Sequence, residues 1–162
     1  MNNGEFYLAD AIDVIEEILA GNGEFRMYPK GTSMLPLIVQ GRDSVVLKRN
    51  FENGAEKNDI AFYRRDNGQF VLHRVMRIDG DGTYVMCGDN QTTLEYGIKR
   101  EQIIGYVDRL YRGDKEVSFR CLKYRVYVLI WCFMPYRRFE RLVRRKLGGL
   151  KRRLLGKNKS KQ

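Results

Sequence analysis

The stretch Gln69-Phe70-Val71-Leu72-His73-Arg74-Val75-Met76-Arg77-Ile78-Asp79-Gly80-Asp81-Gly82-Thr83-Tyr84-Val85-Met86-Cys87 reads as two β-strands folded about a turn. Its flanks are rich in β-branched and aromatic residues, and the Asp-Gly-Asp-Gly between them tolerates the positive φ that a hairpin demands. Outward from this hairpin the same grammar repeats. Asp66-Asn67-Gly68 is a second turn, preceded by a strand over Asp59 to Arg64, and further strands are expected at Glu24 to Tyr28, Ser44 to Lys48 and Ile103 to Leu110. The fold class is therefore mainly β (α+β), with an antiparallel domain over residues 24–116.

Upstream, Phe6, Leu8, Ala11, Ile12, Ile15, Ile18 and Leu19 recur at helical spacing among acids, and Gly21-Asn22-Gly23 supplies a stop. Residues 1–23 thus read as an N-terminal amphipathic helix over Phe6 to Ala20. Downstream, residues 117–162 form a basic amphipathic segment, broken at Pro135, with a tail that ends in a disordered-looking Lys157-Asn158-Lys159-Ser160-Lys161-Gln162.

Bulk composition narrows the function. A chain of 162 residues with 43% hydrophobic content closes one core, not two. The net charge of +10 is concentrated: residues 137–162 hold twelve Lys/Arg and the single acid Glu140, so the remainder is close to neutral. A basic appendage, rather than a basic domain surface, argues against a nucleic-acid module, and nucleic acid is not an expected partner. Cys87, Cys121 and Cys132 are odd in number and lack C-x-x-C spacing, which fits free thiols rather than a disulfide framework or a zinc site. No metal and no cofactor is expected. The acid-interrupted N-terminus is no signal peptide, and the longest apolar run, Val126 to Met134, is too short to span a bilayer.

Two places can supply chemistry. His73 is the only histidine, and an imidazole with an ordinary pKa of about 6.5 serves as a base near neutrality. In Tyr28-Pro29-Lys30-Gly31-Thr32-Ser33-Met34-Leu35-Pro36 a strand gives way to a turn that exposes a hydroxyl beside backbone amides, the combination that nucleophilic acyl transfer needs.

Gly31-Thr32-Ser33-Met34-Leu35-Pro36 resembles the G-x-S-M-x-P nucleophile box of type I signal peptidases and their LexA-like relatives. Asp43-Ser44-Val45-Val46, Asp59-Ile60-Ala61-Phe62, Leu72-His73-Arg74-Val75 and Gly88-Asp89-Asn90 resemble that group's later blocks in the same order. Histidine before Arg-Val matches the archaeal and endoplasmic-reticulum type, whereas bacterial housekeeping enzymes carry lysine. The resemblance, over about Phe25 to Leu110, implies a partly coiled β-sheet with its cleft along a strand edge. It implies Ser33 as nucleophile, His73 as base and Asp89 as the acid behind the imidazole. Gly31, Thr32, Ser33 and Met34 would form the oxyanion and nucleophile loop, with the Ser33 amide as leading donor and Met34 as a packing or pocket-lining residue. Asp43, Asp59, Asp79 and Asp81 are rival acids.

The sequence departs from that group in lacking its anchoring helix, in placing Gly31 where some members bear a hydroxyl, and in placing Asn58 before Asp59 where glycine is usual. A second source of anchorage is the C-terminal segment. Trp131, Arg137, Arg138, Arg141, Arg144, Arg145 and Lys146 are expected to contact an anionic membrane or other polyanion; the alternative is a helix packed on the β domain. The expected function is a serine endopeptidase that cleaves a leader, signal or precursor polypeptide in the cytoplasm, peripheral to the inner face of the membrane. Two alternatives stand beside it: a LexA-like self-cleaving regulator, with Ala20-Gly21 as the candidate bond, and a catalytically silent peptide-binding module of the same fold.

Overall fold

The computed structural model describes residues 8–49, 54–139 and 142–143. Helix α1 spans Leu8–Ala20, so the expected helix is present from Leu8, while Phe6 and Tyr7 lie outside the described residues. Its positions Ile12, Ile15 and Leu19 fall on one face, and all three are buried. The helix stops where Gly21 N donates to Glu17 O and Gly23 N to Ile18 O, with Asn22 at φ 58° carrying the chain into the left-handed region.

One sheet of eight strands follows, every pairing antiparallel. The strands are β1 Phe25–Met27, β2 Asp43–Lys48, β3 Ile60–Arg64, β4 Phe70–Ile78, β5 Tyr84–Cys87, β6 Glu95–Ile98, β7 Ile103–Arg112 and β8 Lys115–Val117. Their order is β1-β2-β7-β3-β4-β5-β6, with β8 paired to β7. Both expected hairpins form: β3 turns into β4 where Gly68 N donates to Arg65 O, and β4 into β5 where Gly82 N donates to Asp79 O. Two strands were not expected, β6 and β8. Each is three or four residues long and half exposed, so neither carries the apolar alternation that marks a strand in sequence. β7 also runs two residues beyond its expected end.

Alternation across the pleat builds two apolar layers. Ile60, Phe62 and Leu72 join Ile12, Ile15 and Leu19 of α1, with Met34, Leu37 and Ile38 from the turn after β1. Ala61, Tyr63 and Val75 point the other way, to Tyr84, Met86 and Ile98. Close approach of β2 and α1 explains Gly105: a Cβ there would lie 2.9 Å from the β2 carbonyl Lys48 O and 3.1 Å from Leu19 Cδ1 of α1. Asn58, where glycine was the expected residue, has φ 78°, a conformation that asparagine tolerates better than most residues.

The C-terminal segment forms α2, Leu122–Trp131, capped by Cys121 and ended at Cys132. A second helical segment covers 134–139. The break thus falls at Cys132 and Phe133 rather than at Pro135. Proline sits instead in the first turn of the second segment, where its missing N–H forfeits no helical bond. Among the described residues no helix is long and apolar enough to cross a membrane.

Candidate active site

The turn that carries Ser33 is anchored from beneath. Met34 and Ile38 are buried in the α1 layer, Ile38 N donates to Met34 O at 3.0 Å, and Gly31 N donates to the Gln40 side chain at 2.7 Å with φ 98° at Gly31. Met34 is therefore a packing residue, as expected. From the other side Asn90 clamps the turn: its N–H donates to Ser33 O at 2.7 Å and its Nδ2 to Thr32 O at 3.1 Å. Among the described residues the Ser33 N–H has no acceptor, which leaves it available to a ligand oxygen.

His73 lies on β4, paired across the ladder with Ala61, and is 1% exposed. Its Nδ1 is 3.1 Å from Glu95 Oε1 and 3.3 Å from the Tyr63 hydroxyl. The hydroxyl donates its one proton to Glu95 Oε2 at 2.9 Å. Burial, reinforced by the Glu95 charge, raises the Tyr63 phenol far above its ordinary pKa, so it stays protonated. Burial alone would raise the Glu95 carboxyl, but bonds from Arg65 and Tyr63 outweigh it and hold the group below its ordinary value. Glu95 is then an ionised acceptor, and both neighbours of Nδ1 can only accept from it. Nδ1 must carry the ring proton, and Nε2 keeps a lone pair. Burial is the largest influence on the ring and holds its pKa below 6.5 against the pull of Glu95, so the imidazole is neutral at pH 7.

That Nε2 lies beside the Ser33 turn, with Gly88 between them. A Cβ on Gly88 would lie 2.7 Å from Ser33 O and 3.0 Å from His73 Nε2, so both crowd one point that only glycine leaves open. No hydrogen bond joins the Ser33 hydroxyl to His73 in this structure. Beside Glu95 opens a polar cavity of about 480 Å³, walled by Arg65, Asn67, Gln91, Thr92 and Thr93.

Asp89 is not the acid behind the imidazole. Side chains alternate along β4, so His73 and Arg74 point to opposite faces, and Asp89 lies with Arg74. Arg74 Nε and Nη2 donate to its two oxygens at 2.8 and 2.6 Å, and the Tyr127 hydroxyl donates to Oδ2 at 2.8 Å. Both side chains of the ion pair are fully buried. Gly88-Asp89-Asn90 is thus a mount: Gly88 gives clearance, Asp89 fastens the loop to the core, and Asn90 clamps the serine turn. The rival acids are engaged elsewhere, Asp43 by Arg42 and Val39 N, Asp59 by Glu56 N, Asp79 by Arg77 and Asp81 by Thr83. Glu95 has no local signal in the sequence, because it sits on the short strand β6 and meets His73 only through the order of β3, β4, β5 and β6.

Two of the expected membrane contacts also face inward. Trp131 Nε1 donates to Asp89 O at 2.6 Å, and Tyr127 stacks on the Trp131 ring at 5.6 Å. Arg137 is 3% exposed, with Nη1 donating to Gly88 O at 2.9 Å and Nε to Trp131 O. The sequence counted these side chains by composition, whereas the aromatic face of α2 packs on the Gly88–Asn90 loop. Arg138 is exposed; Arg141, Arg144, Arg145 and Lys146 lie outside the described residues.

Chemically, the arrangement offers a neutral base with a fixed tautomer, an ionised carboxylate behind it, and a serine turn with an uncommitted amide before it. Among the described residues no three His, Cys, Asp or Glu side chains group so as to hold a metal ion, and all three cysteines are free. Comparison with known proteins finds no matching family model, no matching curated protein and no matching solved structure.

Proposed function

We propose that this chain is a serine endopeptidase of the signal-peptidase type, acting in the cytoplasm on a leader or precursor polypeptide and built on the coiled sheet of that group. The observation that carries the reading is the lone pair of His73 Nε2 directed at the Ser33 turn, fixed there by Glu95 and Tyr63 on Nδ1. The reaction requires the Ser33 hydroxyl to come within hydrogen-bond reach of Nε2. The serine oxygen then attacks the scissile carbonyl as its proton passes to Nε2, and the ring returns that proton to the leaving amine. Water repeats the sequence on the acyl-enzyme. Glu95 stabilises the transient imidazolium, and the Ser33 N–H donates to the oxyanion, where loss of one donor costs about 100- to 1,000-fold in rate.

A substrate supplied in trans is favoured over self-cleavage. Ala20-Gly21 lies at the hydrogen-bonded end of α1, Gly21 N donating to Glu17 O at 3.0 Å, whereas a scissile segment must lie extended in the cleft. The silent peptide-binding reading has one observation on its side, the missing Ser33 to His73 hydrogen bond. Incubation of leader-containing peptides with the wild type and with Ser33→Ala separates the readings. Cleavage by the wild type alone supports the peptidase; binding without cleavage by both proteins supports the silent module.

A further inference from the structure

α2 is apolar on two faces, and the sheet covers only one. Tyr124, Tyr127 and Trp131 turn to the domain. Leu122, Val126, Leu129 and Ile130 follow at i, i+4, i+7 and i+8, exposed by 75, 43, 76 and 44%, and Phe133, just past the helix, is exposed by 60%; Leu129 and Phe133 stand at the rim of a cavity of about 580 Å³ that α2 shares with Ile60, Met76 and Val107. Beyond the break Phe139 is also exposed, at 65%. A contiguous patch of large apolar side chains on a helix requires a cover.

Charge identifies the cover. From Val117 to Phe139 there is no acidic residue, and Arg120, Lys123, Arg125 and Arg138 border the stripe, all exposed. Residues 140–162 add ten Lys/Arg against Glu140. A second copy of the chain would bring two cationic faces together. We propose that the outer face of α2 and the 134–139 segment lies in the interface of an anionic lipid bilayer, with the apolar stripe among the acyl chains and the basic residues at the headgroups. The contacts differ from those that composition suggests: Leu129, Phe133 and Phe139 insert, while Trp131 and Arg137 brace the helix on the Gly88–Asn90 loop. Docking through α2 holds the serine turn beside the bilayer surface, because Trp131 and Arg137 bond the loop that clamps it.

Sedimentation of the full chain with vesicles tests this without any cleavage assay, so it stands apart from the peptidase reading. Vesicles of phosphatidylcholine with about 30% phosphatidylglycerol should bind the protein at least about tenfold more tightly than phosphatidylcholine alone. Leu129→Asp with Phe133→Asp should lower that binding by about tenfold or more, and Leu129→Ser with Phe133→Ser, milder for folding, should lower it in the same direction. Absence of binding to the anionic vesicles would overturn the proposal. So would wild-type binding by both double variants, which would assign the attraction to charge alone. Equal retention on immobilised polyglutamate and on the vesicles would overturn it in favour of an acidic protein.

Discussion

Replacing Glu95 by Gln removes a charge 3.1 Å from His73 Nδ1 while keeping the shape of the side chain. Two unit charges about 4 Å apart attract by about 4 kcal/mol at an effective dielectric near 20. Arg65 shares the same carboxylate through its Nε at 2.8 Å and its Nη2 at 2.5 Å, so about half of that attraction is available to the imidazolium. A loss of about 2 kcal/mol is about a thirtyfold fall in the rate at which Ser33 is acylated. The amide also offers Nδ1 a donor as readily as an acceptor, which frees the ring to take its other tautomer. In a serine triad the equivalent change costs about 10,000-fold, so the fall should lie between those limits. The assay is direct, because His73 is the only histidine. Its ¹⁵N signals report the tautomer, and the rate of reaction with a fluorophosphonate reports the nucleophile. Glu95→Gln with wild-type reactivity and an unchanged Nδ1–H tautomer would refute the role assigned to Glu95.

Arg74→Ala strands the buried Asp89 carboxylate and should cost about 3–5 kcal/mol of stability in denaturant unfolding; a loss below about 1 kcal/mol would show that the pair does not anchor the loop. Gly88→Ala places a methyl 2.7 Å from Ser33 O and should lower acylation by about 100-fold or more while the unfolding free energy falls by only about 1–3 kcal/mol, and wild-type acylation would contradict the crowding. Because burial depresses His73, the unfolded chain takes up the proton first as pH falls through about 6.5, and the stability held above that pH is progressively lost towards the lower folded-state pKa. Unfolding at pH 8 and pH 5.5 should reveal the decrease, and it should vanish in His73→Gln. The same depressed pKa keeps acylation level from pH 7 to 8, whereas a rate rising tenfold across that interval would place the base's pKa above neutrality.

Strands with turn punctuation were legible in the sequence, since β3, β4 and β5 alternate apolar residues between Asp-Asn-Gly and Asp-Gly-Asp-Gly. β6 and β8 were not, because each is only three or four residues long and largely exposed, with Ile98 the one buried side chain between them, so pairing with β5 and β7 rather than an apolar alternation defines them. For the site, Ser33 and His73 could be nominated by residue type and local context. Their helper could not. Asp89 stands in a motif and Glu95 does not, yet the alternation of His73 and Arg74 sends the two acids to different partners. The C-terminal segment shows the same limit: composition marks it as basic and aromatic, but only packing tells that Trp131 and Arg137 turn inward while Leu129 and Phe133 remain outside.

The proposed chemistry stands or falls on activation of Ser33 by His73. Peptide mapping of the fluorophosphonate-treated protein, alongside His73→Gln treated identically, measures it most directly. A single adduct on Ser33 is expected in the wild type, with its near absence in the variant. An adduct elsewhere, or equal labelling of Ser33 with and without the imidazole, would contradict it.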